Sequence, residues 1–180
     1  MEELESAWHK DLLAILPAEQ GSRICFKNHR LLLTEYTPAV VLHQWARQLG
    51  IDLALTKRYL RRLLNRRMVP LPLLPNLTLV PLPVRRGPGP LWGYVVFEEV
   101  LLHRRLNDPP FRSAVYLEDG TIVATLAAAG QLRQIWREAQ AAKKALEQHR
   151  SLLPPTGPPI QSSPASCPYT PPVLIPVTRK

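Results

Sequence analysis

Proline limits this chain more than any other residue. There are 20 prolines in 180 residues, and five of them stand at 70, 72, 75, 81 and 83 within MVPLPLLPNLTLVPLPV. Each removes a backbone N–H and fixes φ, so helix is excluded there and a central strand is disfavoured. Asn76–Val80 remains as a short strand with prolines marking its ends. The chain's helices must therefore lie on either side of this stretch. A second series, at 154, 155, 158, 159, 164, 168, 171, 172 and 176, fills residues 151–180. Such a segment buries too little apolar surface to offset its ordering entropy, so it is expected to be a disordered tail that could offer a polyproline ligand to a protein partner.

Upstream of the prolines, Thr37–Arg67 reads as two helices broken at Gly50. Thr37 is placed as an N-cap, Pro38 suits the first helical position, and Gly50 suits a left-handed cap after Leu49. In the second helix Tyr59, Leu60, Leu63 and Leu64 fall on one side of a 3.6-residue period. Lys57, Arg58, Arg61 and Arg62 fall on the other, with Arg66 and Arg67 at the end and one acid, Asp52, nearby. Surface helices usually mix signs. An unmixed basic face points to a polyanion, with a merely solvated charged face as the alternative.

Strand signals surround the helices. Asp11–Pro17 suits a strand or a helix end, after a short arm or first helical turn at 1–10. SRICFKN and RLLLTEY pair as a hairpin around Asn28-His29. Leu91–Val100 has strand composition, and Arg85-Arg86-Gly87-Pro88-Gly89-Pro90 reads as an exposed loop before it. In SAVYLEDGTIVATL, Asp119-Gly120 suits a two-residue turn, which would set Leu117 opposite Ile122 and Val115 opposite Ala124, with Tyr116 and Val123 on the other face. From Ala128 to Arg150 helical periodicity returns, with Leu132, Ile135, Trp136, Ala139 and Leu146 as the apolar stripe. Its rim alternates in sign, as a packed, solvated helix requires. The expected class is α+β: a small antiparallel or mixed sheet with a basic helical pair and a C-terminal packed helix over residues 1–150, followed by the disordered Pro-rich tail at 151–180.

The formal charge of +9 and pI near 10.1 favour a polyanionic partner. Arg dominates the clusters, which suits forked phosphate contacts or insertion into a narrow groove. Catalytic patterns are missing. The five histidines are scattered, His103 beside Arg104 and Arg105 adds charge more plausibly than catalysis, and Glu98-Glu99 and Glu118-Asp119 sit at a strand end and a turn. Cys25 and Cys167 suggest neither a disulfide framework nor a zinc site. No metal, cofactor or enzymatic activity is expected. The polar, acidic N-terminus is unlike a signal peptide and no apolar run approaches spanning length, so a cytoplasmic, nucleoid-associated protein without membrane contact is expected.

Two modes of nucleic-acid binding fit these residues. Ala46, Leu49, Gly50, Ile51, Tyr59 and Leu60 lie near helix-turn-helix spacing, although Leu53 and Leu55 fall where polar residues would face a major groove and Thr56 where an apolar anchor is expected. The second mode rests on a resemblance. From Arg47 to about Ala142, and most clearly in VPLPLLPNLTLVPLPVRRGPGPLWGYVVF, the chain resembles the competence transcription factor family (ComK) of Gram-positive bacteria. Val69-Pro70-Leu71 resembles that family's Pro-hydrophobic step after a basic helical region, and Val80-Pro81-Leu82 its Phe-Pro-Thr-like step. Trp92 matches its Trp-containing strand, Gly120 its turn glycine, and Gln131 and Gln134 its Gln-containing helix. ILPAEQGSRICFK looks like its opening strand. The family's Gly-Ser-Ser is Gly50-Ile51-Asp52 here, its following Gly-Arg is Ala54-Leu55, its usual Lys is replaced by Arg66-Arg67, and its Cys near the Trp is Pro90 or Leu91.

The resemblance implies a self-associating transcriptional activator that binds AT-rich promoter DNA largely through the minor groove. The contact residues expected are Arg47, Lys57, Arg58, Arg61, Arg62, Arg66, Arg67, Arg85 and Arg86, the last two entering the minor groove and the helical set neutralising phosphates. An RNA-binding accessory protein and a pure interaction protein, with the basic helix docked on an acidic partner, remain the alternatives.

Overall fold

In the computed structural model, residues 8–86 and 90–152 are described. The five apolar residues Leu12 to Leu16 are all buried in the first strand, β1 (Leu12–Pro17). A strand without polar alternation needs cover on both faces. Here β1 lies inside a six-stranded antiparallel sheet. A four-residue helix, α1 (Trp8–Asp11), leads into it, and β2 (Ser22–Phe26) and β3 (Leu31–Thr34) follow as the expected hairpin. Asn28 and His29 at its tip take φ of 59° and 56°, a region that Asn and His tolerate better than most residues. Next come α2 (Pro38–Gln48), α3 (Leu53–Leu64), β4 (Leu71–Leu74), β5 (Leu77–Arg86) and β6 (Pro90–Val96), giving the order β3-β2-β1-β6-β5-β4.

A second, three-stranded antiparallel sheet is formed by β7 (Val100–Arg105), β8 (Ser113–Leu117) and β9 (Ile122–Thr125), and α4 (Ala129–Leu152) closes the described chain. The α+β class is thus as the sequence implies, with the strands divided between two sheets. The layers are helix, sheet and sheet. Val41, Leu42 and Ala46 of α2 and Leu53 and Leu60 of α3 pack with Ile15, Leu79 and Tyr94 on one face of the large sheet. On its other face Leu13, Val80 and Val95 meet Val115, Leu117 and Val123 of the small sheet. α4 joins both cores, placing Leu132 and Ala139 in the second and Ala142 and Leu146 in the first. It packs against β4, the end strand of the large sheet.

Four expectations are corrected. The proline-rich stretch holds a ten-residue strand, β5, paired on both sides at its start. Its pairing with β4 ends at Leu79, so Pro81 and Pro83 have a ladder neighbour on one side only, opposite Tyr94 and Trp92. The absent N–H groups can face the other side. There the Pro83 carbonyl accepts the Leu126 N–H at 2.7 Å and the Thr125 hydroxyl at 2.9 Å.

The second correction concerns Arg85 and Arg86, which are not loop residues. They end β5 and pair with Leu91 and Pro90. The rest of the expected loop, 87–89, lies outside the described residues, as does 153–180 of the tail.

The third is a register shift of one residue. Val115 pairs with Val123 and Tyr116 with Ile122, because the turn is longer by one residue. Gly120 alone takes positive φ, at 84°. Its N–H reaches the Leu117 carbonyl at 3.0 Å while the Leu117 N–H bonds the Thr121 carbonyl at 2.9 Å, the pattern of a three-residue loop with a left-handed glycine. Asp119 stabilises this form by accepting the Thr121 N–H at 2.8 Å. Val115, Leu117 and Val123 are thereby buried together, and Ile122 is left 56% exposed.

The strand expected over Leu91–Val100 also breaks, at Phe97–Glu99, into a 3-10 turn. Glu98 fixes the break: its carboxylate accepts the Thr78 N–H and hydroxyl, both at 2.8 Å, and Lys143 at 3.0 Å. Glu99 pairs with Lys27 at 2.7 Å. Both acids tie strands and helices together.

Candidate nucleic-acid interface

The basic helix is presented by a tight corner. α2 opens at Pro38 with Thr37 extended before it, although the Thr37 side chain makes no cap bond. At its end Gly50 takes φ 69°. The Ile51 N–H returns to the Ala46 carbonyl at 2.8 Å and the Gly50 N–H to Arg47 at 3.0 Å, closing the helix as a left-handed cap does. Asp52, the acid nearest the basic face in sequence, is committed to the fold. Its carboxylate accepts the Leu55 N–H at 2.9 Å and caps α3. The far end closes on Asn65, which takes a left-handed conformation, and Arg66 and Arg67 follow it.

α3 is anchored along a narrow line. Leu53 and Leu60 are buried and Leu64 packs against the same cluster, positions that share one edge of a 3.6-residue helix. This departs from the expected apolar side. Tyr59 and Leu63 are 39% and 50% exposed and, with Leu55 at 53%, form an outward stripe. Beside that stripe, Arg58, Arg61 and Arg62 form an exposed cationic arc. Arg66 and Arg67 extend it, and Arg47 is exposed on α2. Lys57 is half-buried on the flank; burial, helped by the Arg61 charge, pushes its ammonium below the usual lysine range. It is the least available cation of the helix.

Internal bonds hold part of this surface in place. Arg61 donates through Nε to the Arg67 carbonyl at 3.0 Å. Arg66 reaches α4, where its Nε lies 2.9 Å from Glu138, which also accepts the Gln134 amide at 3.0 Å. Among the described residues, this is the ion pair that ties the basic set to the rest of the fold. Arg137 lines the same recess as Arg66 and is exposed. Sequence reasoning passed over it because it sits in a mixed-sign rim.

Arg85 and Arg86 enter through the end of the β5–β6 pair, a different element from α3. His103 is half-buried, and its Nδ1 accepts the Trp136 indole N–H at 3.0 Å. Arg104 lies over the Tyr116 ring, 5.9 Å from its centroid.

Guanidinium groups in an exposed arc can orient and neutralise phosphates, with forked hydrogen bonds that an ammonium cannot make. Among the described residues, no group of three or more His, Cys, Asp or Glu could hold a metal ion, and no helix is long and apolar enough to cross a membrane. Comparison with protein-family models, with curated proteins and with solved structures yields no match to this chain.

Proposed function

We propose that this protein is a DNA-binding transcriptional regulator that holds AT-rich promoter duplex through arginine contacts to phosphate and minor groove. The observation that carries the proposal is the surface from Arg58 to Arg67, where five exposed arginines meet one ion-paired acid, Glu138. Each phosphate neutralised there would release counterions and make binding salt-dependent. Arg85 and Arg86, at the end of a paired two-stranded ribbon, are the candidates for a narrow AT minor groove, whose enhanced negative potential favours arginine. The resemblance to the competence regulators adds promoter activation and self-association to the proposal.

A protein partner is the second reading, and one observation favours it. Leu55, Tyr59 and Leu63 are exposed in line on α3 beside the cations, a composition suited to an acidic amphipathic helix.

Binding of the purified protein to AT-rich duplex, GC-rich duplex and RNA, each over a salt series, separates the two. The regulator binds AT-rich duplex most tightly and with a steep salt dependence. Arg85→Ala with Arg86→Ala then weakens AT-rich sites more than mixed ones, while Arg61→Ala with Arg62→Ala weakens all duplexes alike. Absence of binding to every nucleic acid would retire the proposal and leave α3 as a protein-docking face.

A further inference from the structure

Two adjoining hollows lie where the end of α3 meets α4; Arg66 and Arg67 of the duplex surface proposed above reach their rim, and the rest of their lining is not used by it. One, of about 340 Å³, is bounded by Trp92, Ile135, Pro70, Pro81 and Pro83. The other, of about 560 Å³, is bounded by Leu63, Asn65 and Arg137. Arg66, Gln134 and Glu138 line both, so the two adjoin across the Arg66–Glu138 ion pair as a recess with an apolar end and a cationic end.

Trp92 is unlike the other tryptophans. Trp8 and Trp45 pack against the first core and Trp136 against the second. Trp92 belongs to neither cluster among the described residues, and it is half-buried at the wall of the smaller hollow. Its strand position opposite Pro83 holds it there, in a wall that also includes Pro70, Pro81 and Met68.

Polar groups of both kinds complete the wall. Gln131 spends its Oε1 on the Ala128 N–H at 2.9 Å, so its amide N–H groups are what it has to donate. Gln134 spends its Nε2 on Glu138 at 3.0 Å, so its Oε1 is what it has to accept with. Arg67 reaches the same hollow. A flat aromatic wall, one donor, one acceptor and flanking cations match a nucleobase attached to a phosphate. Binding pockets for small ligands begin at about 300 Å³, so the apolar hollow is large enough for a single planar group.

We propose that this recess takes one base of a single-stranded nucleic acid, stacked on Trp92 between Gln131 and Gln134, with successive backbone phosphates on Arg67 and Arg137. A continuous strand is favoured over a free nucleotide because cations lie at both hollows, Arg67 at the first and Arg137 at the second, as a chain of phosphates requires. The inference shares Arg67 with the duplex surface but does not rest on duplex binding, and Trp92 and Arg137 separate the two.

The test is the affinity of the full chain for a labelled thymidine dodecamer, for a duplex of the same length, and for thymidine monophosphate, together with tryptophan fluorescence. The dodecamer binds and quenches the fluorescence. Trp92→Leu weakens it about 10-fold or more, as loss of one stacked base does, and leaves duplex affinity within twofold. Trp92→Phe keeps most of the affinity but loses the quenching. Arg67→Ala and Arg137→Ala, both at exposed positions, each weaken the dodecamer severalfold and preserve the fold if the Trp92 variants do not. The proposal is overturned if the dodecamer does not bind, if Trp92→Leu in a folded protein changes nothing or weakens duplex equally, or if thymidine monophosphate binds as tightly as the dodecamer.

Discussion

α3 and α4 are both amphipathic helices anchored in the same core, yet they treat charge in opposite ways. On α4 the charges alternate in sign, and several are consumed by the fold: Glu138 holds Arg66, and Lys143 holds Glu98. On α3 the nearby acid, Asp52, serves as a cap, and Arg58, Arg61 and Arg62 stand exposed together. Charge cancelled inside the fold positions elements. Charge left uncancelled in a cluster raises the local potential and awaits an external partner.

The difference can be broken from the packing side first. Leu60 is fully buried, and Leu60→Ala is expected to cost about 2–5 kcal/mol in denaturant unfolding through the cavity it leaves. Leu63→Ala, on the exposed stripe, is expected to stay within about 0.5 kcal/mol. Equal losses would mean that Leu63 is packed against the fold. Charge comes next. Arg58→Ala, Arg61→Ala and Arg62→Ala combined are expected to lower duplex affinity about 100-fold at moderate salt, whereas Lys144→Ala on α4, also exposed, changes it less than twofold. The corner has a smaller effect. Gly50 takes positive φ with open space where a Cβ would stand, so Gly50→Ala costs only the backbone strain, about 1 kcal/mol, measured by the same unfolding titration. Smallest is Glu138→Gln. Removing the acid frees Arg66 from its ion pair and is expected to raise duplex affinity about threefold or less; a decrease instead would show that Glu138 positions Arg66 for binding.

Local chemistry was legible in the sequence, and long-range pairing was not. The β2–β3 hairpin followed from Asn28-His29, and α2, the Gly50 corner and α3 from capping residues and periodicity, because each depends on neighbours within a few residues. The β8–β9 hairpin was legible as an element but not in register, since Asp-Gly serves both two-residue and three-residue loops and the choice is made by which side chains become buried. β5 was underestimated because a proline's effect depends on where the neighbouring strand ends, which no local pattern contains. For the candidate site, the cations were legible by position. Their status was not: Lys57 is dampened by burial, and Arg66 is tied to a partner 72 residues away. Trp92 gave no signal of exposure, because an aromatic in an apolar strand reads as core.

The most direct test of the central claim compares the slope of log K against log salt for AT-rich duplex in the native chain and in the Arg58, Arg61, Arg62 triple alanine variant. If α3 neutralises three phosphates, the variant's slope is shallower by about 2.7, or about 0.9 for each phosphate no longer neutralised, while Lys144→Ala leaves it unchanged. Equal slopes in the native and triple-variant proteins would contradict the account, for they would place the bound phosphates somewhere other than on α3.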